Sequence, residues 1–389
     1  MRILGIVAEY DPFHNGHLHH LQAAVSAVSP DATVVVQSAV FKQRGEASLF
    51  SPFDRAACAA AAGADAVVAL PVCWTVRDAE HYAIGAVSLL ASLGATHLAF
   101  GAETADLPLL RRTAELLENP PAALRESLRE TLSSGLGFPA SLAKAASLIL
   151  PECGRLLNHP NNILAVCYLR AILRGVLSVT PVVIPRYPGY HADQIDSAAP
   201  SASAVRHALC RGSWEDALSA LPPASAAAVR ASFLSGRVPD SRKLDAILLD
   251  ALRGMDKKQA ARLPDCPEGL DAALLNAAAR ADSREQLTGM LTTRRYPSAR
   301  ISRLCACALL GITADHLSGL SLPDTALLLA MRKNPSLTGS WKNSPVRICC
   351  ASDWRKSADP ADLRAWRVWG QCAGLPADWP FSQRLPVLP

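Results

Sequence analysis

Met1-Arg2-Ile3-Leu4-Gly5-Ile6-Val7-Ala8-Glu9-Tyr10-Asp11-Pro12-Phe13-His14-Asn15-Gly16-His17 carries an apolar, β-branched run that stops at Asp11-Pro12. After Gly16 a helical spacing of Leu18, Leu21, Ala24 and Val25 takes over. The pattern predicts a buried first strand, a tight loop, and a helix whose N-terminus stands above the strand end. Free N–H groups and the helix dipole favour an anion there, most often a phosphate. His14 in the loop and His17 at the first helical positions are both able to donate hydrogen bonds to phosphate oxygens. Gly16 lets the backbone come close where a side chain would block it. A surface turn that happens to hold two histidines, or a metal pair, is the competing reading. The setting between a strand and a helix start favours the phosphate.

Working outward, 389 residues leave room for two domains, and 50% apolar with 19% charged residues reads as a soluble globular chain. No stretch approaches the ~20 apolar residues of a membrane span. The first apolar run is too short for a signal peptide and lacks a small-residue cleavage site. Eleven cysteines are scattered, and Cys305-Ala306-Cys307 and Cys349-Cys350 lack the Cys-x-x-Cys spacing of zinc or redox sites. They read as small buried hydrophobes in a reducing cytoplasm, and no metal-ligand set is expected. Charge separates the halves: residues 241–389 hold 21 Lys/Arg against 14 Asp/Glu, the first 240 hold 18 against 20. A polyanion would dock on the basic half, although a solvated basic face fits the same numbers.

The front half alternates strand and helix. Further β-rich runs cover 32–37, 66–70, 96–100 and 180–185, with helical patterns at 17–28, 53–62 and 82–93. Ser51-Pro52-Phe53-Asp54 is a helix start with cap, proline and first-turn acid. Strands spaced by single helices predict right-handed βαβ units and a parallel sheet, with ligands beyond the strand ends. The loops that follow strands are therefore the informative ones: Gln37 to Glu46, Pro71-Val72, Glu80 to Ala86, and Gly101-Ala102-Glu103. Asn161 and Asn162 open another helix, where their amides either cap it or grip a ribose or base edge. Arg186 ends the last strand as a charge clamp. Ser203 reads equally as an N-cap or a phosphate ligand, with Arg206 one turn on. No Gly-x-Gly-x-x-Gly follows any strand, which argues against a dinucleotide oxidoreductase.

From about Leu244 the chain reads as all-helical. Arg294, Arg295, Arg300 and Arg303 fall within ten residues with no acid among them, and Tyr296 between them could stack on a base. Trp354, Trp366, Trp369 and Trp379 read as a packed helical cap.

His14-Asn15-Gly16-His17 resembles the His-x-Gly-His signature of the nucleotidyltransferase superfamily. Together with Gln43-Arg44-Gly45-Glu46, Ala79-Glu80, Gly85-Ala86, Phe100-Gly101, Pro160 to Leu164, Arg186, Gly189-Tyr190-His191, Ser201 to Arg206 and Arg295 to Ile301, it makes the chain similar to the tRNA(Met) cytidine acetate ligases. The resemblance implies an α/β fold: a Rossmann-like parallel-sheet catalytic domain over 1–238, then an all-helical, basic, tRNA-binding domain over 239–389. It implies a two-step reaction in which acetate attacks the α-phosphate of ATP. The acetyl-adenylate then passes its acetyl group to N4 of the wobble cytidine of elongator tRNA(Met). In this reading His14 and His17 are catalytic. Val7, Ala8, Glu9, Tyr10, Asp11, Pro12, Phe13, His14, Asn15, Gly16, His17, Leu18, His19 and His20 wrap the ATP. Gly101, Asn161, Asn162, Arg186 and Tyr187 complete the nucleotide site, Ser203 and Arg206 support the phosphates, and Mg2+ accompanies them. The chain departs from the family pattern in Asp11 for Asn, in Ala39-Val40 of the second loop, in Ala102 for Ser and in Ser203 for Thr. A different small-molecule adenylyltransferase and a silent tRNA-binding relative are the alternatives.

Overall fold

The computed structural model describes residues 1–186 and 200–389. Five parallel strands, β1 (Ile3–Ala8), β2 (Ala32–Ser38), β3 (Ala66–Leu70), β4 (His97–Ala102) and β5 (Thr180–Pro185), lie in the order β5-β4-β1-β2-β3. The register pairs Ile6 with Val35 and with Ala99, so the strand ends that carry the expected loops line up along one edge. β-branched runs with no polar face force this outcome. Val35 packs into one apolar layer with Leu21 and Ala24, while Val34 and Val36 pack into the other with Leu89 and Leu90. A strand buried on both faces needs helices on both sides, which is the parallel-sheet solution. Ser51 caps helix Pro52–Ala61 through its hydroxyl, which accepts from the Asp54 N–H.

The back half departs from the all-helical expectation. Helices fill residues 241–318, and the chain then returns to the sheet. β6 (Thr325–Arg332) runs antiparallel against β3, β7 (Arg347–Cys349) pairs with one end of β6, and β8 (Val387–Leu388) with the other. Thr325 to Arg332 reads Thr-Ala-Leu-Leu-Leu-Ala-Met-Arg, an apolar run without period-2 alternation that sequence cannot separate from a buried helix. Tertiary context decides it: β6 covers the open edge of β3, whose backbone groups would otherwise lack partners.

The tryptophans close the molecule over the second loop. Trp366 stands 5.7 Å from Trp354, 6.1 Å from Trp379 and 5.6 Å from Phe53. The Trp369 indole N–H donates to the Ser48 carbonyl at 2.7 Å. The same loop abuts helix Ser298–Leu310 at Gly45. With φ at +79°, a Cβ at this position would stand 2.6 Å from the Ser302 carbonyl oxygen and 2.7 Å from the Arg303 nitrogen. Backbone cannot yield as a flexible side chain would. Gly45→Ala is therefore expected to cost about 2 kcal/mol through strain and a forced gap, read as a lower urea midpoint. An unchanged midpoint would mean that loop and helix do not meet.

Candidate active site

Between β1 and helix Asn15–Val28 the chain passes through Tyr10, which holds a left-handed φ of 52°, and reaches His14, the helix N-cap. His14 and His17 cap each other. The His17 N–H donates to His14 Nδ1 and the His14 N–H donates to His17 Nδ1, both at 3.3 Å. The rings stack with centroids 3.6 Å apart and planes 18° from parallel. Because both Nδ1 atoms accept, each neutral ring carries its proton on Nε2, an assignment made from the hydrogen-bond network. Asn15 ties the helix start to a neighbouring turn, its N–H donating to the Ala220 carbonyl at 2.9 Å and its Nδ2 to that of Ser219 at 3.2 Å.

Burial holds all three inner histidines neutral. It pushes His14 down to about 3, with Arg186 and Arg206 adding to the effect. Burial, then His14 and Arg186, holds His17 well below the ordinary imidazole range. His20 falls to about 4 through burial, Arg186 and His19. The His20 Nε2 is buried and has no hydrogen-bond partner among the described residues. A Cβ on Gly101 would enter the space between Arg186 Cγ, 3.2 Å away, and His20 Cδ2, 3.8 Å away. A Cβ on Gly16 would press to 3.0 Å from the His14 ring. Glycine at both positions lets the backbone pack directly against the imidazoles and arginines gathered beyond β1 and β4, the cleft of the candidate site. Neutral imidazole donors beside arginines suit an anion.

A pH dependence follows. An unfolded imidazole takes its proton near 6.5, folded His14 near 3 and folded His20 near 4. Between these values the unfolded chain binds more protons, so stability falls as pH drops from about 6.5 towards 4 and gains nothing above it. Urea midpoints are expected to be flat from about pH 8 to 7 and to decline below about 6.5, less steeply in a His20→Asn variant. Asp362, which burial pushes up to about 7, works in the opposite sense, so the difference between the two proteins decides: an equal slope in His20→Asn would contradict a neutral His20.

Beneath the cleft lies a scaffold of buried charge. Asp11 is 1% exposed. Its carboxylate accepts the Leu49 N–H at 2.9 Å and the Phe50 N–H at 3.1 Å, with Lys42 Nζ at 3.7 Å and Arg206 Nη1 at 3.9 Å. Burial alone would raise this carboxyl; the charges of Lys42, Arg55 and Arg206 and the Leu49 N–H hold it below its ordinary value. Arg206 also donates to the Asp11 carbonyl at 2.6 Å and to Ser203 Oγ at 3.2 Å. Arg55, equally buried, donates to the carbonyls of Glu9, Ser38, Ala39 and Phe50, joining the ends of β1 and β2. The Glu9 carboxylate accepts the Gln43 N–H at 2.8 Å, and Gln43 Nε2 donates to the Arg77 carbonyl at 2.6 Å. The loops after β1, β2 and β3 are thereby stitched together.

The expected site residues separate into groups. His14, Gly16, His17, His20, Gly101, Arg186 and Arg206 converge on the cleft. Asn161 joins them, its Oδ1 accepting from Arg186 Nη1 at 3.2 Å. Asn162 faces inward: its amide donates to Thr104 Oγ1 and the Leu156 carbonyl and accepts the Thr104 N–H. Ser201 is the cap of helix Ala202–Arg211, which leaves the Ser203 hydroxyl with Arg206. Tyr10, Pro12 and Phe13 are buried, Leu18 packs on the same core, Val7 and Ala8 are half-buried at the strand end, and His19 is exposed. Tyr187 and Gly189-Tyr190-His191 lie outside the described residues. Sequence reasoning missed Arg55, whose signal is the one cation on a helix that is apolar apart from its first-turn Asp54. Glu103 was picked out only as part of the loop after β4; its carboxylate accepts both the Asn161 and Asn162 N–H groups.

The arginine stretch lies beside the second loop, since Arg303 is the residue that Gly45 abuts. Arg294 and Arg295 are exposed. Arg295 and Arg300 sit over the Tyr296 ring at 5.6 and 5.1 Å, and Arg300 donates to the Asp265 carbonyl at 2.8 Å. Burial lowers half-buried Arg303, against the pull of Asp78 and Asp265.

Among the described residues, no helix is long and apolar enough to cross a membrane. The HIGH Nucleotidyl Transferase family matches residues 1–348. A tRNA(Met) cytidine acetate ligase of Acetivibrio thermocellus is 32% identical over 379 residues, 92% of this chain and 91% of its own. That of Syntrophotalea carbinolica is 36% identical over 341 residues, 86% and 80% of the two chains. The Bacillus subtilis protein is 31% identical over 395 residues, 98% and 94%. The crystal structure of apo Thermotoga maritima TmcAL superposes with a TM-score of 0.93 at 26% identity, covering all of both chains. The same protein bound with alpha-thio ATP superposes at 0.90. The chain belongs to the tRNA(Met) cytidine acetate ligases, within the HIGH nucleotidyl transferases.

Proposed function

We propose that this ligase activates acetate with ATP and transfers the acetyl group to N4 of the wobble cytidine of elongator tRNA(Met), in the cytoplasm. The observation that carries the reading is the pair of mutually capped, neutral histidines beside Arg186. They provide fixed donors and a cation where a leaving pyrophosphate would gather charge. The alpha-thio ATP bound to the Thermotoga maritima protein supports a nucleotide in this cleft.

In the first step an acetate oxygen bonds to the α-phosphorus as the bridge to the β-phosphate breaks. Pyrophosphate leaves, and its charge meets the imidazole N–H groups with Arg186 and Arg206. In the second step the cytidine N4 attacks the acetyl carbon, the bond to the adenylate oxygen breaks, AMP leaves, and the amine proton passes to solvent. Neither step needs a protein nucleophile. The carboxylates near the cleft do not fit a magnesium ion, because Asp11 is held by backbone N–H groups and Lys42, and Glu9 by Gln43. Magnesium would enter on the phosphates, and no step is assigned to it.

Ala39 and Val40, where the chain departs from the family, are buried among core side chains. Residues 239–389, with Arg294, Arg295, Tyr296, Arg300 and Arg303, form the proposed tRNA-binding part. The test is pyrophosphate release from ATP with acetate, formate, propionate or no acid. Acetate-dependent release is expected. Release that ignores acetate, or that requires a phosphate ester, would overturn the reading in favour of another adenylyltransferase.

A further inference from the structure

A second cluster of chemistry-bearing side chains lies away from the histidine loop. Cys73 sits on the short helix Val72–Thr75 that follows β3, His316 on helix Ala314–Ser318, and Asp359 is the N-cap of helix Pro360–Cys372. The Cys73 Sγ is 4.0 Å from His316 Nε2 and 3.9 Å from Asp359 Oδ1; His316 Nε2 is 2.9 Å from Asp359 Oδ2. One ligand atom from each lies within 4.8 Å of the others. Tetrahedral zinc, with Zn–S of about 2.3 Å and Zn–N and Zn–O of about 2.0–2.1 Å, spaces such atoms by roughly 3.3–3.6 Å. The contacts of Cys73 are somewhat longer than this and the His316–Asp359 contact is shorter; the two Asp359 contacts use different carboxylate oxygens, so a rotation of that carboxylate brings one oxygen to the ion.

We infer that Cys73, His316 and Asp359 bind one zinc-class divalent cation, with a water in the fourth position. A thiolate, an imidazole and a carboxylate suit zinc or cobalt and not magnesium or calcium, which take oxygen ligands. Without a metal the Cys73 thiol donates to Asp359 Oδ1, and it is this proton that a bound cation would displace. Charge supplies a second argument. Asp362, one turn beyond Asp359, is buried, and its carboxylate accepts the Val72 N–H at 2.8 Å. Among the described residues no ion pair reaches Asp362, and the side chains of Asp359 and Asp362 both stand near Cys73, with the His316 imidazole on Asp359. Burial pushes the Asp362 carboxyl up to about 7, so it is partly neutral at neutral pH, and a divalent ion beside it would favour its charged form. His316 and Asp359 keep about a quarter of their side chains exposed, which leaves a path for entry. The Asp359 Oδ1 also accepts the Ala361 N–H at 2.8 Å, which orients the carboxylate. On binding, the Cys73 thiol proton passes to solvent and the metal joins three elements distant in sequence.

The test uses the full chain, stripped with a chelator and titrated with cobalt(II) chloride, then with zinc chloride. One cobalt per chain is expected, with a thiolate-to-cobalt absorption band in the near ultraviolet. Cys73→Ser is expected to lose the band. His316→Gln is expected to weaken binding by about tenfold or more, since losing a ligand exceeds losing an outer-shell partner. Zinc is expected to raise the melting temperature of the unsubstituted chain and not of the variants. Absence of stoichiometric cobalt, or a band that survives Cys73→Ser through another thiol, would overturn the proposal. If Cys73→Ser fails to fold, His316→Gln decides it: unchanged cobalt affinity overturns the site.

Discussion

His17→Ala is expected to lower acetate-dependent pyrophosphate release by about 10²–10³-fold, the usual effect of removing one preorganised donor from a developing charge. The ring is positioned by its own helix, since its Nδ1 accepts the His14 N–H at 3.3 Å. Burial and the neighbouring His14 and Arg186 keep it neutral, so it donates without first shedding a proton. Alanine removes the Nε2–H donor and leaves the helix intact, because position 17 is well inside the first turn and alanine is a good helix former. The cost to stability is one reciprocal cap bond, about 1 kcal/mol. His14→Ala is expected to differ by losing stability as well, since His14 is the cap itself. Both rates are read from pyrophosphate release at saturating ATP, beside circular dichroism of each variant. Release by His17→Ala within a few-fold of the unsubstituted chain would mean that the ring does not face the leaving group.

Reversing Arg294 and Arg295 to glutamate is expected to weaken tRNA binding by about 10–100-fold at low salt and to flatten the dependence of log affinity on log salt by about 2. These two are chosen because they are exposed. Arg300 is held over Tyr296 and to the Asp265 carbonyl, and Arg303 is half-buried against the second loop. Pyrophosphate release without RNA is expected to be unchanged, since neither residue belongs to the histidine cleft. Filter binding across a salt series, beside the release assay, separates the two effects. Equal loss in both would mean that the substitutions disturb the fold, and no loss in either would move the RNA to another face.

How far this was legible in the sequence varies with the range over which each feature is decided. Strands β1 to β5 announce themselves through local β-branched runs, and the cleft through His14, Gly16 and His17, where cap, glycine and imidazoles lie within four residues. β6 does not, because an unpatterned leucine and alanine run becomes a strand only when β3 offers it an edge. The roles of Arg55 and Glu103 were hidden for a related reason. Their partners are backbone groups that exist as partners only after the sheet has formed. Asn162 shows the limit of residue chemistry by itself: the same amide reads as a ribose contact or a cap, and its full burial turns it inward. The Cys73, His316 and Asp359 cluster unites residues 243 and 43 positions apart, which no spacing rule could assemble.

The proposed reaction ends with transfer of acetyl from an adenylate to a tRNA cytidine. The most direct measurement is mass spectrometry of nucleosides from elongator tRNA(Met) incubated with the enzyme, ATP and isotopically labelled acetate. One labelled acetyl group per tRNA is expected, on cytidine N4 at the wobble position, appearing only with ATP and lost in His17→Ala. Unmodified cytidine despite acetate-dependent pyrophosphate release, or label on another nucleoside, would contradict it.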